Sequence, residues 1–419
     1  MTPQAQAGGE HTLLLSSSGS VLSAGACGLG WNRGLPLCPS LFAWRAVDLP
    51  EPAGLLHASY YHNLAVGART GALYSWGCGT FIDGQRDGAI PALGNIPALG
   101  PALGPARQDL PRQDLGEPPS LVRLPEGETA AALSGGAYHS VVLTKPGNRV
   151  LTFGAAQLGQ LGRKLKLGPE AETDGAGLPV ESEPGPVEGL PKFDPVKSIG
   201  AGFYNTLVAC KSGKLFCAGE NQNQQCGAGA SNLRRMTEVA ELRGRDVQAA
   251  AGGYCHTLFL TRAGEVLSMG CADEGQRGDG RGAGDGARPA VTSAGLPEGR
   301  RAVAVAAGAN HSVVLGEDGV AYAFGSNEYG QCGPQLQRPS AGGAAAAEND
   351  EHVLSPAPVS LPPGAGRVVA VSAGYAHTVL RTERGRVFAL GQNESGQLGL
   401  GKGSVEVESI TIPAEVATV

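Results

Sequence analysis

Six of the eight histidines, His11, His62, His139, His256, His311 and His377, stand at one position of a recurring pattern, and Asn205 holds that position in a seventh copy. Imidazoles repeated in this way could ring a metal ion or hand protons along a chain. Geometry opposes both roles. Packed sheets stand about 10 Å apart and a zinc–nitrogen bond is about 2 Å long, so one imidazole per repeat leaves neighbours too distant to share an ion. A recurring buried hydrogen bond remains, which the amide of Asn205 can also make. No metal or cofactor is expected.

Other chemical signals dissolve on inspection. Gly396 to Lys402 reads GxxxxGK, but Gly403 replaces the hydroxyl residue that would hold magnesium, and no helix pattern follows. Gly278 to Gly286 is glycine-dense without phosphate-loop spacing. Asn310-His311-Ser312 and Asn393-Glu394-Ser395 match the glycosylation pattern, yet both sit inside repeats and are expected to be unused. Cys210, Cys217 and Cys226 are expected to be buried free thiols, because nine cysteines without a CxxC pair suit neither a disulfide framework nor a zinc site. Neither a GxSxG elbow nor an HExxH pair occurs, so no catalytic residue is assigned and the protein is expected not to be an enzyme.

The elements that must position the histidines repeat with them. Seven segments share one pattern, with cores at about 8–30, 58–88, 134–162, 200–227, 251–278, 306–333 and 372–399. From the His or Asn205 to a hairpin glycine (Gly19, Gly71, Gly147, Gly213, Gly264, Gly319 or Gly385) is 8 residues in six units and 9 in the second. From that glycine to a closing glycine is 6 residues, or 7 in the third unit, while the units themselves are spaced 51 to 77 residues apart. Fixed cores and variable spacers mark structural modules joined by loops. Each core reads as two short apolar strands around a glycine turn, as in Thr257-Leu258-Phe259-Leu260 and Val266-Leu267-Ser268-Met269. A strand precedes each unit and another lies in the spacer, making four. One such sheet cannot bury both faces, but a ring of them can, so the fold class is all-β: a single seven-bladed β-propeller of four-stranded blades. The first unit shows no preceding strand, and Ile410 to Val416 looks like a spacer strand. The ring is therefore expected to close by pairing N- and C-terminal segments in a shared blade, with 404–419 as the closing segment.

Composition agrees. The 419 residues include 66 glycines and 29 prolines, too many turn-formers for long helices, and 42 % hydrophobic residues, enough for a core. A net charge of −6 without any run of lysines and arginines argues against direct nucleic-acid binding. The longest uncharged apolar stretch, Ala89 to Ala106, is broken by Pro91, Pro97, Pro101 and Pro105, so no membrane insertion is expected. No basic leader pattern opens the chain, whose expected setting is soluble and intracellular, with cytosol, nucleus and cilium or cytoskeleton all compatible.

Gly325-Ser326-Asn327-Glu328-Tyr329-Gly330-Gln331-Cys332-Gly333 and Gly391-Gln392-Asn393-Glu394-Ser395-Gly396-Gln397-Leu398-Gly399 resemble the repeat of the regulator of chromosome condensation. Gly159-Gln160-Leu161-Gly162 and Gly275-Gln276-Arg277-Gly278 repeat its tail, and Gly84-Gln85-Arg86-Asp87-Gly88 is a looser copy. The resemblance implies a seven-bladed propeller. It does not imply one activity, since the family includes a guanine-nucleotide exchange factor for Ran, a plant ultraviolet-B photoreceptor, ciliary scaffolds and modules of ubiquitin ligases. The photoreceptor's tryptophans stand beside its repeat histidines, whereas here Glu10, Tyr61, Tyr138, Tyr204, Cys255, Asn310 and Ala376 do, and Trp31, Trp44 and Trp76 all fall in the first two units. No segment matches the exchange factor's wedge residue by residue.

Long inserts at 86–119, 163–192 and 334–357 depart from the compact family pattern. The first contains Pro-Ala-Leu-Gly three times and is the foremost candidate for partner docking; all three also fit tolerated surface loops. The expected function is a non-enzymatic scaffold or adaptor that docks protein partners, in a large assembly, through the propeller faces and the inserts. The alternative is a guanine-nucleotide exchange factor for a small Ran-like GTPase, and a third class is an adaptor of a ubiquitin ligase.

Overall fold

The computed structural model describes residues 2–25, 43–77, 119–166, 172–173, 179–227, 229, 231–282, 292–297, 299–334, 352–401, 404 and 406–418. Their strands form seven antiparallel sheets, each in its own stretch of chain, which are the blades of a propeller numbered here in chain order. Blade 6 is representative. Ala302–Ala307 lies innermost, His311–Gly316 and Ala321–Ser326 follow as a hairpin, and His352–Pro358 forms the outer edge. Blade 3 carries a fifth short strand, Glu172–Thr173, against its outer strand Pro179–Pro186, both drawn from the 163–192 insert.

The strand that begins with the repeat His or Asn205 is buried on both sides. In His256–Thr261 and His311–Gly316 every residue is buried. Alternating polar residues would be stranded there, so these strands read as continuous apolar runs with a hydroxyl second residue, or Asn63 in blade 2. Side chains interdigitate across each seam: Leu207 packs with Phe259 and Met269 between blades 4 and 5, and Ala5 and Leu14 with Val379, Val387 and Leu398 between blades 1 and 7. Each such Leu, Val or Phe contributes about 1.5–3 kcal/mol by leaving water. A ring of backbone hydrogen bonds also runs round the axis. Gly9 donates to Tyr60, Tyr60 to Gly136, Ala137 to Phe203, Phe203 to Gly253, Tyr254 to Ala309, Ala309 to Tyr375 and Tyr375 back to Gly9, over 2.9–3.4 Å.

Three sequence expectations change. The chain ends do not share a sheet. Gln4–Ala7, with its half-buried and buried residues alternating, is the innermost strand of blade 1, and Ser409–Thr418 is the outer strand of blade 7. Closure is by blade packing and hydrogen bonds, including Ala7 N–H to Ser372 Oγ at 2.9 Å and Trp44 Nε1–H to the Val416 carbonyl at 3.1 Å. Each of the two blades already holds four strands of its own stretch of chain.

Cys217 and Cys226 are not free thiols: they form a disulfide, with Cα atoms 5.6 Å apart, because the tail turn of blade 4 folds back over its own third strand. Cys255 and Cys271 form a second, at 5.5 Å, while Cys210 and Cys332 are buried free thiols. Burial pushes the Cys210 thiol up to about 12.

Six of the seven hairpin glycines take the left-handed conformation, but Gly147 does not. The turn of blade 3 is one residue longer, and Asn148 takes that conformation instead at φ 49°. Its amide then spans to blade 4, accepting from Val196 N–H at 2.7 Å and donating to the Val196 carbonyl at 3.1 Å.

Among the described residues no helix is long and apolar enough to cross a membrane.

Candidate docking face

The repeat histidines clasp blade to blade. His62 Nε2 meets Ser140 Oγ at 2.8 Å, His139 meets Thr206 at 3.0 Å, His256 meets Ser312 at 2.9 Å, His311 meets Thr378 at 3.0 Å and His377 meets Thr12 at 3.1 Å. His11 meets the Asn63 amide at 2.6 Å. The direction of four of these bonds follows from what the hydroxyl does next. Thr206, Ser312, Thr378 and Thr12 donate to the main-chain carbonyls of Gln160, Gln276, Gln331 and Gln397 at 2.6–2.8 Å, so their oxygens accept from histidine Nε2–H. The same glutamines cap their own tail turns, as Gln331 Oε1 does for Tyr329 N–H at 2.9 Å, which explains the Gly-Gln of the repeat tail. Glycine three residues ahead of the histidine makes room for the ring: a Cβ on Gly253 would lie 2.2 Å from His256 Cε1.

Burial holds these rings neutral. The pKa falls from the ordinary value to about 3 for His62, His256 and His377 and to about 4 for His139 and His311, and His11 is also lowered, in each case chiefly by desolvation. They are structural clasps. Among the described residues no group of three His, Cys, Asp or Glu is placed to hold a metal.

Asn205 departs from the expected equivalence. Its Oδ1 accepts from Gly202 N–H at 2.9 Å inside its own blade, and Thr257 Oγ1 across the seam has no partner. The shorter amide side chain does not reach the next blade.

The two residues before each clasp gather at the axis and build a face. Tyr60 lies against Phe203 with ring centroids 3.9 Å apart, Tyr61 stacks on Tyr138 at 4.9 Å, and Phe203 takes Tyr254 edge-on at 5.0 Å. Tyr204 joins Tyr138 and Tyr254 at 6.3 and 6.4 Å, and Tyr375 approaches Phe203 at 6.2 Å. Tyr60 and Phe203 are buried beneath, whereas Tyr254 and Tyr375 remain 48 % and 44 % exposed. Carboxylates surround them. Desolvation chiefly, then the neighbouring tyrosines, then Glu10, Glu274 and Glu328 at Tyr375 and Glu220 at Tyr204, raise Tyr375 and push Tyr204 up to about 12. Glu394 acts on Tyr329, beside Tyr375. Glu10 and Glu220 are themselves raised, chiefly by burial.

Below this floor runs a central cavity of about 250 Å³ lined largely by the innermost strands, where His57 Nε2, Ser59 Oγ and Tyr60 Oη are buried without partners.

The sequence analysis passed over the axial aromatics. Lining up the seven copies two residues ahead of the histidine places Gly9, Tyr60, Ala137, Phe203, Tyr254, Ala309 and Tyr375 in one register. That column carried the signal. The insert singled out for docking, 86–119, lies outside the described residues except for Pro119, and Lys402 and Gly403 of the GxxxxGK segment also lie outside them. Of the two glycosylation-pattern asparagines, Asn393 is fully buried and donates to the Val407 carbonyl, and Asn310 donates to Glu274 at 2.9 Å.

Comparison with known proteins agrees with this architecture. The family model described as the RCC1-like domain matches residues 94–419. The human "Probable E3 ubiquitin-protein ligase HERC6" is 31 % identical over 280 residues, which are 66 % of this chain and 24 % of that protein. The human "Regulator of chromosome condensation" is 27 % identical over 317 residues, 72 % of this chain and 68 % of that one. The crystal structure of yeast RCC1 bound to Kap60 superposes with a TM-score of 0.71 at 21 % identity, covering 94 % of this chain and 82 % of the yeast chain. The match thus spans about a quarter of the length of HERC6.

Proposed function

This chain belongs to the RCC1-like domain family, and from that premise we propose that it is a non-enzymatic docking module that binds a protein partner across one propeller face. One observation carries the reading. A ring locked by inter-blade clasps and a cycle of backbone hydrogen bonds leaves two tyrosines at its axis, Tyr254 and Tyr375, about half exposed on a packed aromatic floor. Rigid elements displaying exposed aromatic side chains suit association, because little conformational entropy is lost on contact and large apolar area is gained.

A second reading is guanine-nucleotide exchange on a small Ran-like GTPase, favoured by the likeness to the regulator of chromosome condensation. Exchange needs no catalytic acid, base or metal ligand from the propeller, only a face that grips the nucleotide-free GTPase. A role as the docking part of a ubiquitin-ligase assembly follows similarly from the likeness to HERC6.

Affinity purification with chemical cross-linking and mass spectrometry tests the first reading. Docking predicts partner cross-links concentrated around the axial tyrosines and lost in a Tyr254→Ala/Tyr375→Ala variant. A small GTPase captured nucleotide-free, releasing bound nucleotide faster when the chain is added, would replace the scaffold reading with exchange. Cross-links unaffected by the double variant would remove the face from consideration.

A further inference from the structure

We infer that the partner of this face presents a cationic segment, with an arginine or lysine side chain laid over Tyr254 or Tyr375 and its charge met by Glu10, Glu274 and Glu328. The inference rests on the docking reading and adds the chemistry of the partner.

Charge is the first argument. Glu10, Glu220, Glu274, Glu328 and Glu394 come from blades 1, 4, 5, 6 and 7 and lie close to the axial tyrosines, yet none of them forms an ion pair among the described residues. Their polar contacts are to neutral groups: Ser395 Oγ–H to Glu10 at 3.0 Å, Asn310 to Glu274 at 2.9 Å and Gln392 to Glu394 at 3.1 Å. Several other carboxylates do form ion pairs, as Glu181 does with Arg163, Glu238 with Arg243 and Glu415 with Arg386. Five carboxylates near the same tyrosines, without an ion pair among the described residues, make a negative field that an incoming cation relieves.

The floor is the second argument. Aromatic ring faces carry negative potential, so exposed tyrosines attract the same ligand as the carboxylates, with arginine favoured because its guanidinium also stacks. Beneath them Tyr60, 8 % exposed and packed against Phe203, backs the floor on which the exposed rings rest.

The same features disfavour other occupants. A second copy of this chain would oppose five carboxylates with five more, and an acidic or phosphorylated segment would be repelled. A purely apolar segment would desolvate the charges and return nothing.

The test uses the full chain and a fluorescent dodecapeptide of alternating arginine and glycine, with its citrulline counterpart as the neutral isostere. Anisotropy should show the arginine peptide binding at least tenfold more tightly than the citrulline peptide, and more weakly as salt rises. Tyr254→Leu should weaken it about threefold to fivefold, whereas Tyr254→Phe, which keeps a ring face, should stay within about twofold. Glu274→Gln/Glu328→Gln should weaken it about tenfold, and Glu183→Gln/Glu188→Gln on the outer part of blade 3 should leave it unchanged. Equal losses from the two glutamine pairs, equal binding of the two peptides, or dimerisation abolished by Tyr254→Leu would each overturn the inference. A cross-linked partner on the axial tyrosines that the arginine peptide fails to displace would also overturn it, while leaving docking intact.

Discussion

Lowering the pH from 7.5 to 5.5 should cost this fold most of its stability, because of its buried imidazoles. His57, His62, His139, His256, His311 and His377 titrate at about 3 to 4 when folded, burial being the chief cause. An unfolded chain returns each to about 6.5. The unfolded state therefore binds more protons throughout the interval between, and stability falls as the pH drops below 6.5. At pH 5.5 the difference is RT ln 11, about 1.4 kcal/mol for each ring, or about 8 kcal/mol for six, against a typical total of about 5–15 kcal/mol. Glu51, Glu128, Glu238 and Asp246 are held below their usual range chiefly by hydrogen bonds, so their contribution is complete at pH 5.5 and fades only as the pH falls further. Raised Glu10 and Glu220 work in the opposite direction. Urea unfolding followed by circular dichroism at half-unit steps of pH measures the loss, and its slope near pH 5.5 should correspond to an uptake of about five protons. A stability that changes by less than about 2 kcal/mol over the interval, or an uptake below about two protons, would refute the assignment of neutral buried clasps.

Four further outcomes follow from the clasps and from the space around the glycines. Thr378→Val strips the His311 Nε2–H and the Gln331 carbonyl of their shared partner, and urea unfolding at pH 7.5 should register a loss of about 2–3 kcal/mol. Asn205→His supplies the missing seventh clasp to Thr257 Oγ1 and should raise stability by about 1 kcal/mol; a lowered melting temperature would mean that the blade 4–5 seam cannot admit the ring. Gly253→Ala drives a methyl to 2.2 Å from His256 Cε1 and 2.5 Å from the Gly308 carbonyl, and calorimetry should show at least about 3 kcal/mol of destabilisation. Gly244→Ala meets nothing within 4 Å and bears only the strain of φ +79°, so its cost should stay near 1–2 kcal/mol.

The sequence by itself determined the number of blades and the place of every hairpin. These follow from short-range chemistry: glycine at turns, apolar runs a few residues long, and one polar position that recurs with them. Even there local reading had limits, since one added residue moved the left-handed position of blade 3 from Gly147 to Asn148. Only the tertiary structure decided which groups meet. His11 and Asn63 are 52 residues apart and Thr12 and His377 are 365 apart, and no local pattern says that a histidine reaches forward to the next blade while Asn205 turns back to Gly202. The Cys217–Cys226 disulfide depended on a tail turn folding back onto its strand, the Cys255–Cys271 disulfide on the open ends of one hairpin meeting, and closure on the innermost strand Gln4–Ala7, too short to stand out in the sequence. The aromatic face at the axis is the clearest case. Tyr60, Phe203, Tyr254 and Tyr375 are unremarkable singly, and become a surface because ring closure brings the same position of seven distant repeats to one axis.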